Sequence, residues 1–548
     1  MSLATPPANP PANPPATPRS TVRASNHMVA SADQLATSAG LAIFAQGGNA
    51  VDAAIATNAA IAITGPHLCG MGGDLFALIH VDDTNDPDSP GETFALNASG
   101  RAGSGADPDA LRAEGFTDMP FKLDVRSVTV PGCIDGWMAL HERFGSLPLE
   151  VILAPARRLA ALGFPASPLL VGSLRRLDAV SRANLNELAS QATSTGSIVR
   201  RPGAALVLAA LPSSGRDGFY LGSFGDGLIE LGDGLFDADD LGTVQANWED
   251  PLSASAFGVD LHTIAPNSQG YLTLAAARLA ERLDLPDDPD HERWAHLLIE
   301  AATAAGFDRP DALHEHADGD ALVGAIDRRL DLIGLENATR RVAPGSDGDT
   351  TYLCTAGVDR DGRRIGVSLI QSNASGFGSH LVEPNTGINL HNRGIGFNLV
   401  DGHPAEFRPG RRPPHPLSPA LATRSGRLAS VFGTMGGDAQ PQILLQIAAR
   451  LVRHGQSPTA AIDAARWILH GPDTGFDTWT GAGGPLVHVE GHAPTGWVDA
   501  LAARGHRSVA QPAWDSGFGH AHAIVVEDSG MFAGAADPRA VVGSAAGL

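Results

Sequence analysis

Near residue 345 the hydrophobic pattern of this 548-residue chain changes period, and any fold it adopts has to accommodate that change. Upstream, apolar residues recur at helical spacing in 149–162, 168–182 and 270–283, and acidic loops at 226–240 and 284–290 separate these segments. Downstream, 351–358 and 364–371 read as strands joined by Asp359-Arg360-Asp361-Gly362, a hairpin signal. Thr350 therefore stands at the head of the first strand of a hairpin. The run before it, Pro344-Gly345-Ser346-Asp347-Gly348-Asp349, is small and glycine-rich, and it permits tight approach of the Thr350 hydroxyl to its own upstream carbonyl.

The start of the chain is organised differently. Residues 4–18 read ATPPANPPANPPATP, a Pro-rich repeat expected to be a solvated, polyproline-like tail. Ser31-Ala32-Asp33-Gln34 has the spacing of a capping box, which predicts a helix running to Gly47-Gly48. Asn49 can cap a second helix to about Ile63, rich in Ala and Ile and therefore buried. The glycine-rich segment 65–73 precedes an apolar strand at 75–79. Phosphate-cradling loops need a strand before the glycines and a helix after them, so that reading fails here.

Bulk properties exclude several classes. A net charge of -22 with no basic cluster repels phosphate backbones, which argues against nucleic-acid partners. No run of about 18 apolar residues appears, so no membrane span is expected. Three widely spaced cysteines (Cys69, Cys133, Cys354) and no apolar leader point to a reducing compartment and a cytoplasmic protein. Cys354 reads as a small buried hydrophobe. The single lysine, Lys122, lies in no nucleophile motif and is assigned to the surface. His291 and His296 are five residues apart, whereas a zinc helix needs four, and His314-Glu315-His316 reads as a polar turn; no metal or organic cofactor is called for.

No G-x-S-x-G elbow, Walker A loop or dinucleotide fingerprint is present. A threonine hydroxyl needs a base within reach. If the chain is cut between Asp349 and Thr350, the freed α-amine supplies one, with a pKa near 8 that suits general-base work.

Several ordered blocks add weight. They are Gly47-Gly48-Asn49-Ala50-Val51-Asp52-Ala53-Ala54, Gly65-Pro66-His67 with Gly70-Met71-Gly72-Gly73, Ser127-Val128-Thr129-Val130-Pro131-Gly132 and Leu153-Ala154-Pro155-Ala156. Pro266-Asn267-Ser268-Gln269-Gly270 is looser; Asp349-Thr350-Thr351-Tyr352, Gly376-Phe377-Gly378-Ser379 and Gly433-Thr434-Met435-Gly436-Gly437 follow. Together they resemble the gamma-glutamyltransferase family from about residue 25 onward. The resemblance implies an α+β fold, the four-layer αββα sandwich of N-terminal-nucleophile (Ntn) hydrolases. It also implies self-cleavage into a large subunit (25–349) and a small one (350–548) that stay intertwined, behind a disordered 1–24 tail. By the same resemblance Thr350 is the nucleophile, and Gly436 and Gly437 offer backbone N–H groups to the oxyanion. Arg101 resembles the arginine that grips a substrate carboxylate, a task suited to a planar guanidinium.

The departures bear on the substrate, which the resemblance makes a small amide bearing a carboxylate. Asn392-Arg393-Gly394-Ile395-Gly396-Phe397 has Gly396 where well-known members carry an acid for the substrate α-amine, and their Ser-Ser pair falls on His415-Pro416. Ile370 and Ser372 replace an expected Thr and Asn. With Arg101, Ser372, Arg393 and His415 as the acyl-pocket residues, an ammonium lacks a counter-charge. The pattern is similar to the intracellular branch that includes cephalosporin-acylase-like and oxamate-amidohydrolase-like proteins. True glutathione or γ-glutamyl hydrolysis and an uncleaved, non-catalytic binding protein stay open as alternatives, as does a homodimer of the cleaved pair.

Overall fold

Two seven-stranded sheets form the centre of the molecule. The computed structural model describes residues 19–86, 88–339, 350–470 and 486–548; the Pro-rich stretch 4–18 and Asp349, with the glycine-rich run before it, lie outside the described residues. One sheet runs in the order Val22–Ala24, Phe532–Ala535, Ala521–Val526, Arg427–Thr434, Ala420–Arg424, Val259–Thr263, Leu252–Ala256. The other runs Ser544–Gly547, His27–Ser31, Thr351–Val358, Arg363–Ser372, Asp74–Asp83, Glu92–Ala98, Asn247–Glu249. Both sheets thus combine strands from before and after residue 350. Order begins ahead of residue 25, because Val22–Ala24 pairs with Phe532–Ala535 and Arg19 forms an ion pair with Asp463.

Three apolar cores define four layers. Between the sheets, Phe76, Leu78, Tyr352, Cys354 and Ile370 meet Leu421, Val431 and Ile524. The helices Gln34–Ala45, Ala50–Thr64 and Leu149–Leu162 cover the outer face of the second sheet. Tyr271–Glu281, Glu292–Gly306 and Gln440–Ala448 cover the first. This is the αββα sandwich that the sequence blocks imply. It explains why the 351–358 strand is buried up to its last residue: Tyr352 and Cys354 face the partner sheet while Leu353 faces the helices. Cys354 is fully buried among them, as expected.

Local signals fare unevenly. Asn49 caps the Ala50–Thr64 helix in a full capping box with Asp52, and every residue of that helix is buried. The first helix is capped by Asp33 rather than Ser31, because Ser31 is still the last residue of a strand; the Asp33 carboxylate accepts from Leu35 N–H at 2.7 Å. The predicted 168–182 helix breaks into Pro168–Arg176 and Ala179–Asn184, with Asp178 capping the second piece. Part of the expected acidic loop at 226–240 is helical, in Ser223–Gly232 and Ala238–Gly242.

Asn49 also donates to Phe144 O at 2.6 Å, so one side chain fixes both the helix start and its neighbour. Asn49→Ala is expected to lower stability by about 1–2 kcal/mol, read as a fall in Tm; an unchanged Tm would show that the cap holds nothing.

Candidate active site

The site grows from strand register. Gln371 lies opposite Thr351 on one side and Leu75 on the other, and Ser372 lies opposite Asp74. Leu75 in turn lies opposite Ala98. Residues opposite one another share a face, so Thr350, Ser372 and Asp74 end three adjacent strands on the face turned toward the partner sheet. Glycines make the approach possible: a Cβ on Gly73 would stand 2.3 Å from Ser372 O, and one on Gly72 would stand 2.4 Å from Asn389 O. Thr350 is buried, and its Oγ1 lies 3.0 Å from Ser372 Oγ. Two N–H groups point at Ser372 Oγ, from Ala374 at 2.8 Å and Arg393 Nη2 at 3.4 Å. The two hydroxyls are thus within hydrogen-bond reach of one another, and either can donate to the other.

Asp74 gathers the charged groups. Its Oδ1 accepts from Gly100 N–H at 3.0 Å, and its Oδ2 accepts from His415 Nε2–H at 3.1 Å. His391 Nδ1 lies 3.5 Å and Arg393 Nε 3.6 Å from the same oxygen. Burial pushes this carboxyl upward, but His391 and the hydrogen bond from His415 outweigh it and hold Asp74 well below the usual carboxylate range. His415 is lowered to about 3 by burial and by the nearby Arg393, so it is a neutral imidazole whose Nδ1 accepts from Leu417 N–H at 3.3 Å. Arg393 is lowered to about 10 by burial, opposed by Asp74 and Asp438, and remains a cation at neutral pH.

The glycine pair closes the site from the other sheet. Gly433 lies on Tyr352, its absent Cβ 2.1 Å from the ring, so the Arg427–Thr434 strand passes over the head of the threonine strand. The chain then turns through Gly436 (φ 137°) and Gly437 (φ 52°), angles that favour glycine, into the helix Gln440–Ala448. Gln269 ties this turn to His415, donating its side-chain N–H to Gly437 O at 3.2 Å and its backbone N–H to His415 O at 2.8 Å.

Of the residues singled out from sequence, Thr350, Ser372, Arg393 and His415 meet in one buried cluster. Arg101 stands beside it. Its backbone follows Gly100, but its half-buried guanidinium reaches Gln245 Oε1 at 3.4 Å and Asn247 Oδ1 at 3.5 Å rather than the hydroxyl pair. Gly396 is sterically closed, since a Cβ there would stand 2.4 Å from Pro414 O, so no acid fits at that position on this backbone. His291 is exposed and caps the Glu292–Gly306 helix, whereas His296 turns inward to His506. Sequence reasoning missed Asp74, His391 and the buried Arg309–Asp438 pair at 3.2 Å, beside the glycine turn. Asp74 carried a signal, a charge opening the apolar strand directly after Gly72-Gly73.

A four-layer αββα sandwich with a buried threonine heading a central strand is the architecture of an Ntn-type amide hydrolase. The chain matches the family model for gamma-glutamyltranspeptidase over residues 36–547 and belongs to that family of amide-bond hydrolases and acyltransferases. It is 31% identical to the glutathione hydrolase-like YwrD proenzyme of Bacillus subtilis, over 94% of this chain and 97% of that one. It is 32% identical to the oxamate amidohydrolase proenzyme of Klebsiella pneumoniae, over 95% and 98%. Its fold superposes on cephalosporin acylase from Bacillus halodurans with a TM-score of 0.86 and 32% identity, covering 98% and 99% of the two chains.

Asp74→Asn keeps the shape and removes the charge. Losing one partner of a buried charge cluster is expected to destabilise by about 3–5 kcal/mol. Because the folded carboxyl is depressed, its contribution is present above the unfolded value, about pH 3.9, and is lost as pH falls below it. Below about pH 4 the wild type should therefore lose about 1.4 kcal/mol per pH unit more than the variant in denaturant titrations; parallel curves would refute the assignment.

Proposed function

We propose that the chain cuts itself between Asp349 and Thr350 and then hydrolyses small carboxyacyl amides through an acyl-Thr350 intermediate. The observation that carries this reading is the buried Thr350 Oγ1 at the strand head, held 3.0 Å from Ser372 Oγ beside a cationic Arg393. In the uncut chain Thr350 Oγ attacks the Asp349 carbonyl, the peptide bond becomes an ester, and water releases residues 1–349. The freed α-amine then takes the Oγ proton as Oγ attacks the substrate carbonyl. The N–H groups of Gly436 and Gly437 stabilise the oxyanion, the amine leaves with a proton, and water resolves the ester. The large (25–349) and small (350–548) subunits stay associated in a cytoplasmic enzyme.

The acyl group in this reading carries a carboxylate and no α-amine, as in oxalyl or glutaryl amides. The closed position at Gly396 supports it, and so does the similarity to an oxamate amidohydrolase. Arg393 is committed to Asp74, so the half-buried Arg101 receives the incoming carboxylate. One observation favours a second reading, γ-glutamyl transfer: the Asp438 carboxylate follows the glycine pair, where it serves a substrate ammonium in place of the lost acid if it exchanges its ion pair with Arg309 for that cation.

Intact mass of purified protein should give two fragments, 1–349 and 350–548, and Thr350→Ala should give one uncut, inactive chain. Normal cleavage in that variant would sink the nucleophile. On the mature enzyme, kcat/KM for a glutaryl or oxalyl amide should exceed that for the γ-glutamyl counterpart. Arg101→Ala should lower it at least about a hundredfold on these donors, while sparing a neutral acyl amide. A wide preference for γ-glutamyl donors, abolished by Asp438→Asn, would establish the second reading instead.

A further inference from the structure

Far along the chain from the threonine, three ligand-type side chains converge from two separate parts of the sequence. His296 and Glu300 are four residues apart on the helix Glu292–Gly306, so they share one face. His506 follows the helix Trp497–Ala503, its backbone N–H donating to Leu501 O at 3.0 Å. One ligand atom from each of the three lies within 4.8 Å of the other two. The imidazoles already meet nitrogen to nitrogen, His296 Nδ1 to His506 Nε2 at 2.8 Å, with the rings near edge-on at 64°. His296 and Glu300 are almost fully buried, at 0% and 1% exposure.

We infer that His296, Glu300 and His506 form a binding site for a divalent transition-metal ion, with Zn2+ as the best match. Two imidazoles and a carboxylate are a donor set that suits zinc, at metal–nitrogen distances of about 2.0–2.1 Å and with room for a further ligand. Tetrahedral bonds of that length place two nitrogens about 3.3 Å apart, so the imidazoles need to separate by only about half an ångström from where they stand. The proton now shared between the rings moves to the far nitrogen of its own ring, which frees a lone pair on each facing atom. Nothing is oxidised or expelled.

The supporting shell is in place. The Glu300 carboxylate accepts from Gly334 N–H at 3.0 Å and from Thr339 Oγ1–H at 2.6 Å, bonds that aim it without changing its charge. Such outer partners orient ligands and commonly change affinity about 10–100-fold when lost. The helices that carry the ligands are locked together, since Trp294 and Trp497 stack at 6.5 Å and Trp497 Nε1–H donates to Asp290 O at 2.7 Å. The last described segment before the threonine is tied to the same place, because Ala338 N–H donates to Arg504 O at 2.7 Å. The site is complete in the uncut chain; that the same ion joins the two subunits after cleavage rests on the processing proposed above.

The test uses full-length protein stripped with chelator, together with its uncut Thr350→Ala form, titrated with Co2+ and then Zn2+. One equivalent of Co2+ should give visible d–d bands in both, Zn2+ should displace it, and Tm should rise with either ion. His506→Gln, at the most exposed of the three ligands, should weaken binding at least about a hundredfold, and His314→Ala with His316→Ala should leave it unchanged. Absence of the bands in the wild type overturns the site, and so does equal binding by His506→Gln or a loss on changing His314 and His316. If His506→Gln does not fold, the wild-type titration and Glu300→Gln, which keeps an acceptor for Gly334 and Thr339, decide the question. Because binding in Thr350→Ala is read separately, failure of the site and failure of self-cleavage give different results.

Discussion

The carboxylate of Asp74 is the point at which both sheets and three loops are held to one geometry. A lone buried charge is among the least stable things a protein interior can contain, and Asp74 is fully buried. It persists because Gly100 N–H, His415, His391 and Arg393 all turn toward it. Gly100 is close to Asp74 in sequence while His415 is 341 residues away, so satisfying one charge fixes the relative placement of the 100, 391–393 and 415 loops. Arg393, placed this way, reaches Ser372, and Ser372 reaches Thr350. The position of the Thr350 hydroxyl is thus set through hydrogen bonds that originate in an anion two strands away.

The same logic operates elsewhere in the second half of the chain, where Asp537 pairs with Arg466 at 2.6 Å and with Arg539 at 3.1 Å, all of them buried. Buried ion pairs add little net stability compared with apolar packing, yet breaking one is severe. They therefore act as constraints on geometry rather than as a source of folding energy, which the three apolar cores supply. Around the threonine that distinction has a chemical side. Arg393 and Arg309 are balanced by Asp74 and Asp438, so the cluster carries no large excess of either sign. A substrate charge must then be recognised by a group outside these ion pairs; in the proposed reading that group is Arg101, whose guanidinium is held by the neutral side chains of Gln245 and Asn247.

Local features were legible in the sequence where a short stretch decides the outcome. The hairpin at 351–371 follows from its strand residues and from Gly362, whose φ of 82° the turn requires. Asn49 and the alanine-rich helix behind it could be read from five residues. The capping of the first helix could not, because Ser31 and Asp33 are both good caps, and only pairing of His27–Ser31 with Thr351–Val358 decides between them. Asp74 was visible as an oddity without a meaning, since its partners lie far away in sequence. His296 illustrates the limit most clearly. Its spacing to His291 set that pair aside as a metal site, while its structural neighbour His506 is 210 residues away and no spacing rule connects the two.

Interleaving of the strands also means that the proposed cut before Thr350 would leave the sheet intact. Thr351–Val358 is bonded on one side to His27–Ser31 and on the other to Arg363–Ser372, which is bonded in turn to Asp74–Asp83. A peptide bond cut before Thr350 removes no rung of this ladder, and none of the three cores is built only from residues on one side of the cut. The new amine therefore appears on a strand whose neighbours already hold it. Only the covalent link changes, while the Thr350 side chain keeps its place against Ser372, so the proposed maturation converts a substrate peptide into a base without asking the nucleophile to move.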